Sequence, residues 1–236
     1  MKNIIKLASI VLVFSFTLFG LTNKASAAKL TMYCSVEIDV CEMLEQAYEK
    51  ETGTKVAMTR ASSGETFAKI KAESSNPKGD VWFGGTGDPH LTAAQENLTE
   101  KYKSTHFNDL LPAAQNQAKN ADFKSVGIYV GALGFGYNKD LLAKKGLPAP
   151  KSWMDLTKPI YKGEIQVANP NSSGTAYTTL ATILQIFGED KGWDYMKKLH
   201  ANINTYTKSG SAPIKATGRG ENLIGICFQH DGVKQT

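Results

Sequence analysis

Short runs of apolar residues with β-forming character alternate, along most of this chain, with longer stretches whose apolar positions recur at helical spacing. LTMYCSV reads as a strand. CEMLEQAYEKETG reads as a helix ending at Gly53, with Met43, Leu44, Ala47 and Tyr48 on one face. KVAMTR is a second short strand, and ETFAKIKAES a helix with Phe67, Ile70 and Lys71 at i, i+3 and i+4. DVWFGG is a third strand, closed by Gly84 and Gly85. DPHLTAAQENL follows as a helix, with Asp88 read as its N-cap and Pro89 at the first helical position. Alternating elements of this kind predict an α/β fold with parallel strands and helical crossovers.

The rhythm then changes. SVGIYVGALGFGYN is rich in glycine and β-formers and predicts two adjacent strands, suited to a hinge between two lobes. LPAPKSWMDLTKP is a proline-punctuated loop-helix element. EIQVANP predicts a strand, TAYTTLATILQIFGED and GWDYMKKLHANI two helices, and SAPIKATGRGE a short helix ending at a glycine-rich turn. NLIGICFQHDG predicts a last apolar strand with a polar end. No tandem repeat interrupts the series.

Residues 1–27 read as a secretory leader: Lys2 and Lys6 precede IIKLASIVLVFSFTLFGL, and Ala25-Ser26-Ala27 fits a small-residue cleavage site. The expected location is therefore periplasmic, with the leader removed. Losing Lys2, Lys6 and Lys24 takes the formal charge from +5 to +2, and acids and bases interleave, so no nucleic-acid stripe is present. In an oxidising compartment Cys34, Cys41 and Cys227 allow a Cys34–Cys41 bridge or a pairing through Cys227; spacing does not choose between them.

Two strand-to-helix junctions carry the same residues. One reads ASSGE, with Ser62, Ser63 and Gly64; the other reads SSGT, with Ser172, Ser173, Gly174 and Thr175. A helix start offers unpartnered N–H groups and the positive end of its dipole, serine adds donors, and glycine admits a ligand close to the backbone. The plainer reading is that both are ordinary serine N-caps. Ligands of open parallel sheets bind beyond the carboxyl ends of the strands. The residues expected there are Ser35 and Glu37, Ser62 and Ser63, Gly84 and Gly85, Ser173 to Thr175, and His230 with Asp231. That set suits one phosphate-like group and several hydroxyls. Glu37 as a solvated loop residue, Gly84-Gly85 as a mere turn, and His230-Asp231 as a surface pair are the competing readings. Trp82, flanked by Val81 and Phe83, reads as core. GxSxG, HExxH, P-loop and GxGxxG motifs are absent from the sequence, which argues against an enzyme; an exported phosphatase built on His230 and Asp231 is the remaining enzymatic alternative.

LTMYCSVE, TGTKVAMTRASSGETFAKIKAE, GDVWFGG, VGALGFGYN, ANPNSSGTAYT and SGSAPIKATGRGE, in this order, resemble the solute-binding proteins of ABC importers, of the ferric-ion-binding type and its organophosphate-binding relatives. The resemblance implies a two-lobed type II periplasmic binding protein: an N-terminal lobe over 28–125, then hinge strands and a C-terminal lobe over 126–236. It also implies a monomer without a cofactor that delivers its ligand to an inner-membrane ABC permease. The tyrosine pair that holds iron in the ferric-binding members is replaced by Phe228-Gln229-His230-Asp231, which resembles the hexose-phosphate-binding branch. The implied ligand is a small phosphorylated sugar such as glucose 6-phosphate, with ferric ion as the alternative. Since the chain stops soon after the last strand, the return segment to the first lobe is expected to be missing and the C-terminal lobe incomplete.

Overall fold

The computed structural model describes residues 29–236; the leader read over 1–27 lies outside the described residues. The first sheet is built from β1 (Lys29–Cys34), β2 (Lys55–Arg60) and β3 (Val81–Phe83), all parallel, in the order β2-β1-β3. Its crossovers are α1 (Ile38–Thr52) and α2 (Ser63–Ala72), as the spacing of their apolar residues predicts. Gly53 ends α1 in the left-handed conformation at φ 71°, its N–H bonded to Glu49 O at 2.9 Å. Cys34 stands level with Arg60 on one side and Phe83 on the other, so the three strands finish together. The turns that follow them therefore share one edge of the sheet.

Thr86, not Asp88, stands at the N-cap position of α3 (Gly87–Gln95), without a side-chain cap bond. Pro89 falls in the first turn, where its missing N–H would have had no helical partner anyway. The sequence pattern gave no sign of α4 (Pro112–Asn120), a largely polar helix begun by a proline. Nor do residues 126–138 form two strands: only β4 (Leu133–Tyr137) is a strand, and 126–132 run without a ladder.

The second sheet has the order β4-β7-β5-β6, with β5 (Ile165–Ala168), β6 (Ile203–Thr207) and β7 (Ile224–Phe228) parallel and β4 antiparallel to β7. Around it lie α5 (Lys139–Lys145), α6 (Gly174–Phe187), α7 (Glu189–His200), α8 (Ala212–Gly218) and the short α9 (Gln229–Val233). β7 is central and carries Ile224 and Ile226, both wholly buried with Leu156, Tyr161, Ile165, Ile183 and Leu223. Gly225 lets α8 press onto this strand: a methyl group there would lie 2.7 Å from the Pro213 backbone. β6 escaped the sequence pattern because Asn204, Thr205 and Thr207 make it polar for an edge strand. The predicted loop-helix element resolves into two 3-10 turns, Trp153–Thr157 and Pro159–Tyr161.

Of the open cysteine pairings the structure takes Cys34–Cys41, and Cys227 is buried without a disulfide partner. The bridge ties the end of β1 to the first turn of α1 and so clamps Ser35, Val36 and Glu37 between them. Reduction is expected to cost about 2–3 kcal/mol for a loop this short. Urea unfolding with and without reductant measures it; an unchanged midpoint would mean that packing alone holds the turn.

Candidate ligand-binding site

The carboxyl ends of both sheets open onto one cleft of about 450 Å³. From the first lobe it receives Ser35 and Glu37 after β1, Arg60, Ser62 and Ser63 at the end of β2, and Gly85 and Thr86 after β3. From the second it receives Ser173, Gly174 and Thr175 at the start of α6, Gly210 and Ser211 before α8, and His230 and Asp231 after β7. Of the residues the sequence nominates, Gly84 alone stands apart. Its carbonyl accepts from His90 Nε2 at 2.7 Å, and it lines a different cavity behind β3. Ser35 is on the cleft wall, but its hydroxyl accepts from Trp82 Nε1 at 2.9 Å and meets Thr66 Oγ1 at 3.0 Å. Its first task is to fix the turn. Trp82 is half-buried rather than core, stacked on His90 with ring centroids 3.7 Å apart.

The two serine turns serve as caps and also meet each other. Ser173 Oγ accepts from Ala176 N at 3.4 Å, and Ser62 N donates to the Glu65 carboxylate at 3.2 Å. Gly64 N donates across the cleft to Ser172 O at 3.0 Å. The contact is close: a methyl group on Gly174 would come within 2.1 Å of Thr86 Oγ1 and 3.0 Å of Ser63 Oγ. Only glycine allows that approach. Ser63 Oγ accepts from Thr86 N at 3.3 Å, whereas Thr86 Oγ1 is buried with no hydrogen-bond partner among the described residues. A buried orphan hydroxyl is costly, and a polar ligand atom would relieve it. Arg60 brings the one guanidinium of the cleft lining, held by Nε donating to Val36 O at 3.0 Å and Nη2 donating to Ser209 Oγ at 3.3 Å.

Carboxylates line the same cleft. Burial pushes the Glu37 carboxyl up, but donors from Lys215 and Ser211 outweigh it and hold the group below its ordinary range. Asp231 is displaced the other way: burial raises it, the His230 ring partly offsets this, and the Glu37 charge adds to the rise. His230 Nε2 lies 3.6 Å from Asp231 Oδ1, with the imidazole exposed to solvent and the carboxylate nearly covered. Both belong to the first turn of α9, not to the tail of β7 as the sequence suggested. Turn backbone, serine and threonine hydroxyls, one guanidinium and the carboxylates of Glu37, Asp88 and Asp231 together suit a ligand that carries both an anion and hydroxyl groups.

Residues 80–234 match the model of the bacterial extracellular solute-binding proteins. The chain belongs to that family. A protein of Haemophilus influenzae is 45% identical over 216 residues, which cover 90% of this chain and 62% of that one. The probable ABC transporter periplasmic-binding protein y4fP of Sinorhizobium fredii is 32% identical over 66% of this chain and 43% of its own. Among solved structures, the periplasmic binding protein AfuA of Actinobacillus pleuropneumoniae, with exogenous fructose-6-phosphate bound, superposes with a TM-score of 0.86. It is 45% identical, over 89% of this chain and 66% of its own. This chain thus spans less than two thirds of the length of the relatives it matches. Iron-bound HitA of Pseudomonas aeruginosa, at 21% identity and a TM-score of 0.70, shares the fold. These neighbours bear out the type II periplasmic binding protein fold.

In this solute-binding protein the lobes are also joined by charge. Glu37 pairs with Lys215, Glu65 with Lys208 at 2.5 Å, and Asp39 with Lys234 at 3.1 Å. Each acid comes from the first lobe and each lysine from the second. Sequence reading missed Arg60, Thr86, Ser211 and Lys234 in the cleft. Arg60 was legible, as a cation at the end of a strand beside the serine turn; the others come together only through the fold. Because Asp231 is easier to protonate folded than unfolded, its neutral form stabilises, and that contribution fades as pH rises through the raised value. Asp231→Asn is therefore expected to raise Tm by about 2–4 °C at neutral pH and to change little near about pH 3. Calorimetry at the two pH values checks this; a lower Tm at neutral pH would mean the carboxylate is a net stabiliser.

Proposed function

We propose that this protein is the substrate-binding component of an ABC importer, exported to the periplasm with residues 1–27 removed, and that its cleft takes a phosphorylated sugar. It works as a monomer, performs no chemistry, and hands its ligand to an inner-membrane permease. One observation carries the reading: the serine-glycine helix starts of α2 and α6, one from each lobe, converge on a cleft that also holds Arg60, Glu37 and Asp231.

A phosphoryl group suits the first half of that set. Helix N-termini and a guanidinium both favour an anion with several acceptor oxygens, and Thr86 Oγ1 is a hydroxyl in want of a partner. The carboxylates suit the other half, accepting from sugar hydroxyls with strict direction. Fructose-6-phosphate bound to AfuA supports the same class of ligand. Ferric ion is less well served. Hard Fe(III) favours anionic oxygen ligands. Tyr129 is the phenol on the cleft wall; burial raises its pKa, and its hydroxyl is committed to the N–H and the carbonyl of Gly85, each at 2.8 Å.

Isothermal titration with glucose 6-phosphate and fructose 6-phosphate is expected to give binding, with unphosphorylated fructose and inorganic phosphate each far weaker. Arg60→Ala should weaken the sugar phosphates about ten- to a hundredfold, a loss of about 1.4–2.8 kcal/mol. Asp231→Ala should weaken them as well while leaving inorganic phosphate unaffected. Folded protein that takes up no sugar phosphate would overturn the reading.

A second measurement uses Gly174. Gly174→Ala places a methyl group against Thr86 Oγ1 and should hold the two turns apart, weakening sugar phosphate at least about tenfold while the melting temperature changes little. Titration calorimetry and thermal melting on the same sample separate the two effects. Unchanged affinity would mean that the turns need not touch when ligand is bound.

A further inference from the structure

Behind the cleft, a chain of side-chain contacts joins the turns after β1 and β3, and neither of its two aromatic members lines the cleft itself. It starts on α2, where Thr66 Oγ1 lies 3.0 Å from Ser35 Oγ in the turn after β1. Trp82 Nε1, on β3, donates to the same Ser35 oxygen at 2.9 Å. The indole ring stacks on His90 of α3, and His90 Nε2 lies 2.7 Å from Gly84 O in the turn after β3.

The chemistry of the donors gives this chain a direction. An indole N–H only donates, so Ser35 Oγ is the acceptor toward Trp82. A carbonyl only accepts, so His90 Nε2 carries the ring proton. Burial holds this imidazole below its ordinary range, against the opposing effect of the Gly84 carbonyl, which favours the neutral ring. Thr66 is buried, and its hydroxyl has no partner but Ser35 among the described residues, so its proton is best spent there. Both lone pairs of Ser35 Oγ are then filled, and its own proton is what remains. Ser35 lines the cleft. What it offers a ligand is therefore a donor, which suits an anionic oxygen.

The His90 end acts on shape. Gly84 and Gly85 are both left-handed, at φ 76° and 90°. A methyl group on Gly85 would overlap Ser63 Oγ and come within 3.1 Å of Ser35 Cβ, so the turn abuts both serines. His90 holds it at Gly84 O, and the Tyr129 hydroxyl holds both backbone groups of Gly85.

We propose that Trp82 is a positioning residue for the cleft: its N–H sets the Ser35 hydroxyl as a donor to the phosphoryl group, and its stack on His90 holds the Gly84-Gly85 turn against Ser35 and Ser63. The donor has its target only on the reading of the cleft as a sugar-phosphate site, on which this inference rests. Trp82→Phe removes the N–H and keeps a ring against His90. His90→Phe keeps the stack and removes the donor to Gly84 O.

Titration calorimetry of the full chain with fructose 6-phosphate, together with amide hydrogen exchange on the ligand-free protein, tests it. Trp82→Phe is expected to weaken binding about tenfold. In a Ser35→Ala background it should add less than about twofold, because its effect passes through that hydroxyl. The indole N–H resonance of Trp82, assigned by its loss in Trp82→Phe, should move when the sugar phosphate is added, and move far less in Ser35→Ala. Without ligand, the Ser35 amide, which donates to Phe83 O at 2.9 Å, should exchange at least about tenfold faster in Trp82→Phe, with the amides of β5 and β7 unchanged. His90→Phe is the second variant; it should speed exchange at Gly85 and Thr86 and weaken the sugar phosphate. Wild-type affinity in Trp82→Phe, losses that simply add in the double variant, or unchanged exchange at Ser35 would each overturn the proposal. Wild-type protein that binds no sugar phosphate would overturn the reading of the cleft, and the exchange measurement then decides by itself whether Trp82 holds the turns.

Discussion

Parallel strands that end level with one another impose the arrangement on which the cleft depends. With Cys34, Arg60 and Phe83 in register, the turns after β1, β2 and β3 cannot avoid being neighbours. A slip of one residue in β2 would turn Arg60 to the opposite face and carry the serine turn away from Glu37. The Cys34–Cys41 bridge reinforces this where it matters, since it fixes the first of those turns to the helix that follows.

What the two lobes bring to the cleft is mostly backbone and small hydroxyls, and that choice has a physical logic. Glycines at 85 and 174 remove the side chains that would hold the turns apart, and the serines keep short donors close to the main chain. Gly64 N–H is spent on Ser172 O, so part of the donor set first joins the lobes to each other. A ligand between the turns has to offer better than a bond whose net value is about 1 kcal/mol. The unpartnered Thr86 hydroxyl and the guanidinium of Arg60 are the groups that make such an exchange favourable.

Most of this fold was legible in the sequence, because its helices and buried strands carry strong periodic signals. The serine turns, the carboxylates and the His-Asp pair were recognisable as strand-end chemistry, and all but Gly84 share one cleft. What escaped detection has physical causes. β6 is a polar edge strand, paired on one side only, so no apolar pattern marks it. Residues 126–131 include strand-forming side chains but have no backbone partner among the described residues, and propensity without a partner makes no ladder. His230 and Asp231 sit on a single helical turn, too short for periodicity to reveal. Ser211 and Lys234 join the cleft through tertiary packing alone.

The three ion pairs between the lobes share one orientation, acids on the first and lysines on the second. Individually such partly exposed pairs are weak, but three that share one sense bias the seam toward a single alignment. Such pairs act over a distance set by the Debye length, about 8 Å at physiological ionic strength, so added salt weakens the bias. The ion pairs and the short contact of the two serine turns thus favour the same arrangement of the lobes, the one in which Gly64 N–H meets Ser172 O.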